Sequence, residues 1–383
     1  MEATIRLFDL EPHRLSFTAE VMACEPAPEG RWWVMLNQTA FFPEGGGQGA
    51  DQGRLGAARV LDAHEKAGVI RHLTDQPLIP GGTVSGEVDS QRRLSMSQQH
   101  TGEHILTGIA HRRWGVENVG FHIGTEAVTV DFDIPLSPEQ LRELEGLANA
   151  AVWANLPVRV WVPSPEELAA LEYRSKKTID GDVRIVSIEG IDTCACCGTH
   201  VERTGGVGQI RILSGIHYKG GVRLQILCGQ RALDWEQGQQ DENRAVSRLL
   251  SAKPGEFSAA VSRLLSERDG LKTRAEALAE QLFTHTLRDE ANQQIRVAEV
   301  TGMNPASLPR AASRLAEGAD VGLALLRTED GWRFALCGGD SGALARKLCA
   351  AFGGKGGGRA DMAQGTIAAG DPETFRACLK EDI

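Results

Sequence analysis

His100 and His104 stand four residues apart in "SQQHTGEHIL", with Glu103 between them. On an α-helix that spacing puts two imidazoles one turn apart on one face, aimed at a common point. As a string, H-x-x-E-H also matches the inverted zinc-peptidase signature, in which two histidines hold a metal and the glutamate activates water. A second cluster is "DTCACCGTH", where Cys196 and His200 repeat the spacing in a glycine-containing turn. One thiolate and three imidazoles make a tetrahedral donor set that suits zinc better than magnesium or calcium. Cys194 and Cys197 are further thiols nearby, and Cys197-x2-His200 is a second pairing that spacing allows. A peptidase of this type takes a downstream carboxylate as its third ligand and keeps one position open for water. Four protein donors fit that scheme poorly. They would fit a purely structural zinc, so the donors alone leave catalysis open.

Elements far apart in sequence must bring the two clusters together. Residues 91–113 are poor in glycine and read as a helix, with Ser90 as its cap. Upstream, "RLSFTAEVMACE", "RWWVMLNQTAFF" and "GTVSGEVD" alternate partially between Pro and Gly breaks, a pattern that suggests a small β-barrel or sandwich over residues 1–90. Downstream come strand-like "AVTVDFDI", a helix with an S-x-x-Q capping box at Ser137 and Gln140, and the strands "PVRVWVP", "VRIVSI", "VGQIRILSGIHY" and "GVRLQILCG". The expected fold class is α+β: a barrel over 1–90, an α+β metal-binding domain over 91–232, a helical or coiled-coil arm over 236–294 and a small α/β domain over 295–383. In the arm, Phe257, Val261, Leu264, Leu271, Ala275, Leu278 and Leu282 follow 4-3 spacing, with Arg268 in the seam. Such a stripe wants a partner helix, either residues 240–252 of the same chain or a second copy in a homodimer.

Composition narrows the setting. The 383 residues are 42% hydrophobic and 24% charged, ordinary values for a soluble protein with two or three cores. No apolar run is long enough to span a bilayer, and "MEATIRLFDLEPHRLSF" lacks a signal-peptide pattern, so no membrane association and a cytoplasmic location are expected. Eight cysteines without secretion suggest metal rather than disulfides. A net charge of −10 excludes a generally basic, indiscriminate nucleic-acid surface, though not a local basic groove.

"HTGEH" with "CCGTH", preceded by "TAFFPEGGGQGADQG" and followed by "RTGGVGQIRI", closely resembles the alanyl-tRNA editing proteins, free-standing relatives of the editing domain of alanyl-tRNA synthetase. The family pattern of H-x3-H and C-x3-H falls on His100, His104, Cys196 and His200. The family turn is usually C-G-G-T-H; Cys197 here replaces the first Gly, which leaves Cys196 and Cys197 in contention. "FGGKGGGRADMAQG", residues 352–365, resembles the glycine-rich signature of the domain that ends alanyl-tRNA synthetases and some DHH-type phosphoesterases, as in the long form of the editing proteins. No motifs for forming an aminoacyl-adenylate precede these, so the likeness is to an editor and not a synthetase.

The resemblance implies one Zn2+ per chain and hydrolysis of the ester joining serine, or glycine, to the 3′ end of tRNA(Ala). The zinc would either activate water or position the substrate's amino or ribose hydroxyl group, with Glu103 as a helper that orients water. Thr39 and Gln48 flank a glycine turn, and a buried polar group awaiting a substrate hydroxyl is left unpaired by alanine. Sites of that kind can reject the analogue lacking the hydroxyl by ~10⁴-fold. Gly45, Gly46 and Gly47 would let backbone approach the aminoacyl end. The RNA-contact candidates are "YRSKK" (173–177), Lys219 and Arg223, and Lys347, Lys355 and Arg359 near the C-terminal glycines. The competing functions are a tRNA-binding module with structural zinc and a zinc metallopeptidase.

Overall fold

The computed structural model describes residues 2–175 and 183–380. The chain divides into two compact units, Met1–Glu242 and Asn243–Ile383.

In the first unit, the strands Ser16–Ala27, Arg31–Leu36, Val69–Thr74, Ala58–Lys66, Gly53–Leu55 and Thr83–Val88 pair in that order, and the last returns to the first, closing a barrel. Phe17, Val21, Val34, Leu36, Phe41, Leu55 and Val88 fill it. The chain leaves the barrel directly into the helix Ser90–Trp114. Asp89, not Ser90, caps it: one carboxylate oxygen accepts from the Gln91 and Arg92 N–H groups, both at 3.0 Å. The carboxylate also meets the positive end of the helix dipole, which a serine hydroxyl one residue later cannot match.

That helix and the helix Pro138–Trp153 pack on an antiparallel sheet ordered Ile210–Tyr218, Gly221–Cys228, Val128–Phe132, Asn118–Ile123. The Ser137–Gln140 capping box forms at the start of the second helix. A smaller antiparallel sheet, Val158–Trp161, Ile185–Ile188 and Asp192–Ala195, leads into the cysteine cluster.

In the second unit, helix Phe257–Asp289 precedes a five-stranded mixed sheet ordered Ile295–Glu299, Val321–Thr328, Gly331–Cys337, Met362–Ile367, Gly354–Gly358. Val261, Leu264, Leu271, Leu278 and Leu282 of the heptad stripe are exposed. Within the glycine-rich signature, Gly354–Gly358 is an edge strand fully paired with Met362–Ile367. A Cβ at Gly354 or Gly358 would meet backbone of the paired strand at 1.9 or 2.2 Å, so here glycine permits close pairing. Among the described residues no helix is long and apolar enough to cross a membrane.

Candidate metal centre

From Gln99 to Gly108 every residue of helix Ser90–Trp114 is buried, although six of these ten are polar or charged. Such a helix is stable only if its polar side chains find partners. Gln99 donates to Cys228 O at 2.7 Å and accepts from Cys228 N at 2.8 Å, tying the helix to the sheet. Next to it, His100 and His104 face the turn that follows Asp192–Ala195. The donor atoms of His100, His104, Cys196 and His200 all lie within 4.8 Å of one another. Cys196 Sγ is 3.3 Å from His100 Nε2 and 3.5 Å from His200 Nε2. Cys197 is exposed, and its sulfur is on the glycine-turn side, 3.7 Å from where a Gly46 Cβ would stand. Of the two thiols left open by spacing, Cys196 is the one in the cluster.

Each imidazole is tethered through its Nδ1. His100 Nδ1 donates to Gln48 Oε1 at 2.9 Å, His104 Nδ1 donates to Asp192 Oδ2 at 2.8 Å, and His200 Nδ1 sits 3.1 Å from Thr101 Oγ1. All three Nε2 atoms are thereby turned to the common point, those of His100 and His104 with a lone pair, which is how metal-ligating histidines are held. The donor set and its tethers fit a zinc ion. Without one, charges redistribute among the same groups. Burial opposes ionisation of Cys196, yet the charges of His100 and His104 beside it hold its thiol well below the usual range. Burial likewise opposes the charge on His104, but the Cys196 thiolate and the Asp192 carboxylate push it up. Burial pushes His200 down to about 3. Cys194, with His104 and Asp192, forms a second potential metal group. Both oxygens of Asp192 are already engaged, by His104 Nδ1 and Arg174 Nε, so this group fits a metal poorly.

The structure revises the expected role of Gln48. Its amide is buried and largely engaged: Oε1 also accepts from Thr199 N at 3.1 Å, and one N–H of Nε2 donates to Thr199 Oγ1 at 2.9 Å, which Ser97 Oγ also contacts at 2.9 Å. Gln48 holds a ligand histidine through its amide oxygen, a role that spacing alone did not reveal. The turn before it explains the glycines. Gly45 and Gln48 exchange backbone hydrogen bonds, and Gly46 and Gly47 both have positive φ (59° and 83°), as a type I′ turn requires. A Cβ on Gly47 would lie 2.7 Å from Phe121 O. Gly198 is needed for another reason, since its Cβ would stand 2.0 Å from His100 Cε1.

Thr39 is fully buried and its hydroxyl is already paired. His72 Nδ1 donates to Val34 O at 3.1 Å, so its Nε2 accepts, and the Thr39 hydroxyl donates to it at 2.9 Å. Burial pushes His72 down to about 4, which keeps it neutral in that role. Thr39 Oγ1 also accepts from Phe41 N at 3.1 Å. One oxygen lone pair remains. Glu103 is no solvated helix residue: it is buried, Asn118 Nδ2 donates to Oε1, and Oε2 lies 3.9 Å from His104 Nε2.

The basic candidates divide. Arg223 Nε and a terminal nitrogen bind the two oxygens of Asp131 at 2.6 and 2.7 Å, and its guanidinium lies 3.7 Å from the Tyr218 ring centre. It is not a free phosphate contact. Lys219 is exposed in the adjoining hairpin turn at φ 47°. Lys355 and Arg359 are exposed in the second unit, where Lys347 is half-buried. Of "YRSKK", Arg174 turns inward to Asp192, while Lys176 and Lys177 lie outside the described residues. The outer layer of Asp192, Thr101, Thr199 and Asn118 was not legible in the sequence, and Arg174 was expected at RNA. Thr101 and Thr199, each immediately beside a predicted ligand, were its only sequence signal.

Residues 183–224 match the threonyl and alanyl tRNA synthetase second additional domain, and residues 292–383 match the DHHA1 domain. The alanine–tRNA ligase of Methanopyrus kandleri is 34% identical over 316 residues, covering 78% of this chain and 34% of that protein. The chain thus spans about a third of the length of the ligases first matched. The C-Ala domain from Aquifex aeolicus alanyl-tRNA synthetase, a solved structure, is 27% identical and covers 23% of this chain and 86% of that one, with a TM-score of 0.20, too low to bear on the fold. The alanyl-tRNA editing protein Aarsd1 of Mus musculus is 31% identical over 287 residues, 70% of this chain and 70% of that protein. The last of these likenesses extends over most of both chains, and the protein belongs to the alanyl-tRNA editing protein family.

Proposed function

We propose that the chain is a zinc-dependent trans-editing hydrolase that deacylates Ser-tRNA(Ala), and Gly-tRNA(Ala), in the cytoplasm. The observation that carries this is the convergence of His100, His104, Cys196 and His200, three of them tethered through Nδ1, in a member of an editing family. When bound, zinc supplies a Lewis-acid centre that lowers the pKa of water or holds the aminoacyl end. Gln48, Asp192 and Thr101 keep the three imidazoles in one tautomer and orientation, so no reorganisation is needed on binding. Glu103 Oε2, close to His104 Nε2, receives the proton released when water attacks the ester carbonyl. The glycine turn Gly45–Gly47, packed closely on Phe121 at Gly47, presents backbone and not side chain to the aminoacyl end. Residues 1–90 and 91–232 form the editing module in this reading. Residues 295–383, with Lys355 and Arg359, serve as a tRNA-binding or dimerisation domain, and Lys219 contacts the acceptor stem.

The test is incubation of the full chain with Ser-, Gly- and Ala-charged tRNA(Ala), with and without chelator. Serine is expected to be released and alanine retained, with activity lost on chelation and restored by zinc. Intact Ser-tRNA(Ala) at stoichiometric protein and saturating zinc would sink the reading and leave a tRNA-binding protein with structural zinc.

Serine selection is assigned to Thr39. Its proton is engaged by His72, so its oxygen can only accept, and a serine hydroxyl is a donor of the right kind. Thr39→Val is expected to lower kcat/KM for Ser-tRNA(Ala) by about ten- to a hundredfold, the worth of one buried hydrogen bond. The rate on Gly-tRNA(Ala) and the zinc content should stay near wild type. An unchanged ratio of serine to glycine rates removes Thr39 from the pocket.

A further inference from the structure

Arg174 belongs to the basic run that sequence offered to RNA, yet its side chain serves the metal centre. Its backbone is locked beside the strand Asp192–Ala195: Arg174 N donates to Thr193 O and Ala195 N donates to Arg174 O, both at 2.9 Å. From there Nε donates to Asp192 Oδ1 at 2.9 Å, and a terminal nitrogen donates to Thr107 Oγ1 at 3.1 Å. The other oxygen of Asp192 accepts from His104 Nδ1 at 2.8 Å. The two carboxylate oxygens are therefore divided between a cation and a ligand imidazole.

We infer that Arg174 is a positioning residue for the metal ligand His104, acting through Asp192. The inference rests on the metal reading of the cluster. A carboxylate bonded only to His104 can rotate about its Cβ–Cγ bond and carry the imidazole with it. A guanidinium anchored at both Asp192 and Thr107 fixes the carboxylate plane, and with it the plane of the His104 ring. Thr107 is three residues past His104 on the same helix, so the clamp closes on the element that bears the ligand. Asp192 is almost completely buried, and an unpaired carboxylate there would be costly. Arg174 itself borders a cleft of about 680 Å³ shared with Asn118, Asp192 and Cys194, so replacements reach solvent and the fold has room for them.

The test uses cobalt(II) and zinc with the full chain, comparing wild type, Arg174→Gln and Arg174→Lys. Arg174→Gln is expected to weaken metal affinity, measured by chelator competition, about ten- to a hundredfold, as loss of an outer partner typically does. Its cobalt d–d absorption should shift in position or intensity, which reports ligand geometry and not fold. Arg174→Lys keeps the charge without the planar fork and should fall between the two. A folded Arg174→Gln with wild-type affinity and an unchanged cobalt spectrum overturns the inference. So does loss of tRNA binding with metal binding intact, which would make Arg174 an RNA contact. Should the Gln variant not fold, wild-type affinity and spectrum in Arg174→Lys overturn it equally. A wild-type chain that takes up no cobalt or zinc overturns the metal reading and this inference with it, whereas metal binding without deacylation overturns only the proposed reaction.

Discussion

Cys196→Ala is expected to strip the protein of metal and abolish deacylation, while Cys197→Ala leaves both near wild type. The two thiols are neighbours in sequence, but only Cys196 Sγ meets the imidazoles, at 3.3 and 3.5 Å, whereas Cys197 is exposed. A four-ligand zinc site of this kind binds with roughly 10–16 kcal/mol, so a proportional share for one ligand is about 3 kcal/mol, or two to three decades of affinity. The thiolate contributes more than its share, because it is the set's one anionic donor. Metal content after gel filtration and the rate of serine release from Ser-tRNA(Ala) check both variants. Equal losses in the two would mean that the cysteines act through the turn and not through a bond to metal. Retained zinc in Cys196→Ala would remove Cys196 from the donor set.

The second large effect concerns Arg93, about two helical turns before His100 on the same helix. Its Nε lies 3.1 and 3.0 Å from the oxygens of Asp51, and a terminal nitrogen donates to Asp51 and, at 2.6 Å, to Ala40 O. Asp51 Oδ2 also accepts from Phe42 N at 2.7 Å. One buried ion pair thus pins both ends of "AFFPEGGGQGAD" to the helix that carries two ligands. Arg93→Met leaves the Asp51 carboxylate buried without its cation, a change that costs about 3–5 kcal/mol. For a unit of this size the melting temperature should fall by roughly 6–20 °C. Arg113→Met, which removes an exposed pair with Glu143, should cost less than about 1 kcal/mol. Asp51→Asn in the Arg93→Met background should recover part of the loss, since the orphaned charge goes too. A melting temperature for Arg93→Met within a degree or two of wild type would show that the ion pair does not hold the motif to the helix.

Several features were readable from the chain alone because they are local. The i, i+4 pair His100 and His104 depends only on helix pitch, and the Ser137–Gln140 box on the first turn of its helix. The strands "RLSFTAEVMACE", "RWWVMLNQTAFF" and "GTVSGEVD" were marked by partial alternation, and the glycine turn by composition. The ligand helix, expected over 91–113, is found at Ser90–Trp114, but its inward face was not legible. Its buried face is polar, so hydrophobic periodicity does not reveal which residues lie inside. The Asp89 cap was missed because its carboxylate, one residue before Ser90, meets the helix dipole and accepts two N–H groups.

Residue type and short spacing determined by themselves which side chains could bind a metal, and the sequence likeness set the family. Tertiary structure decided which thiol faces the imidazoles, because Cys196 and Cys197 differ only in the direction the turn gives them. It also decided that Gln48, Asp192 and Thr101 are tethers and that Arg174 turns inward. Those bonds join residues 52, 88, 99 and 18 positions apart. A hydrogen bond is set by distance and angle in space, and nothing in a linear spacing fixes those until the barrel, the helix and the small sheet have packed.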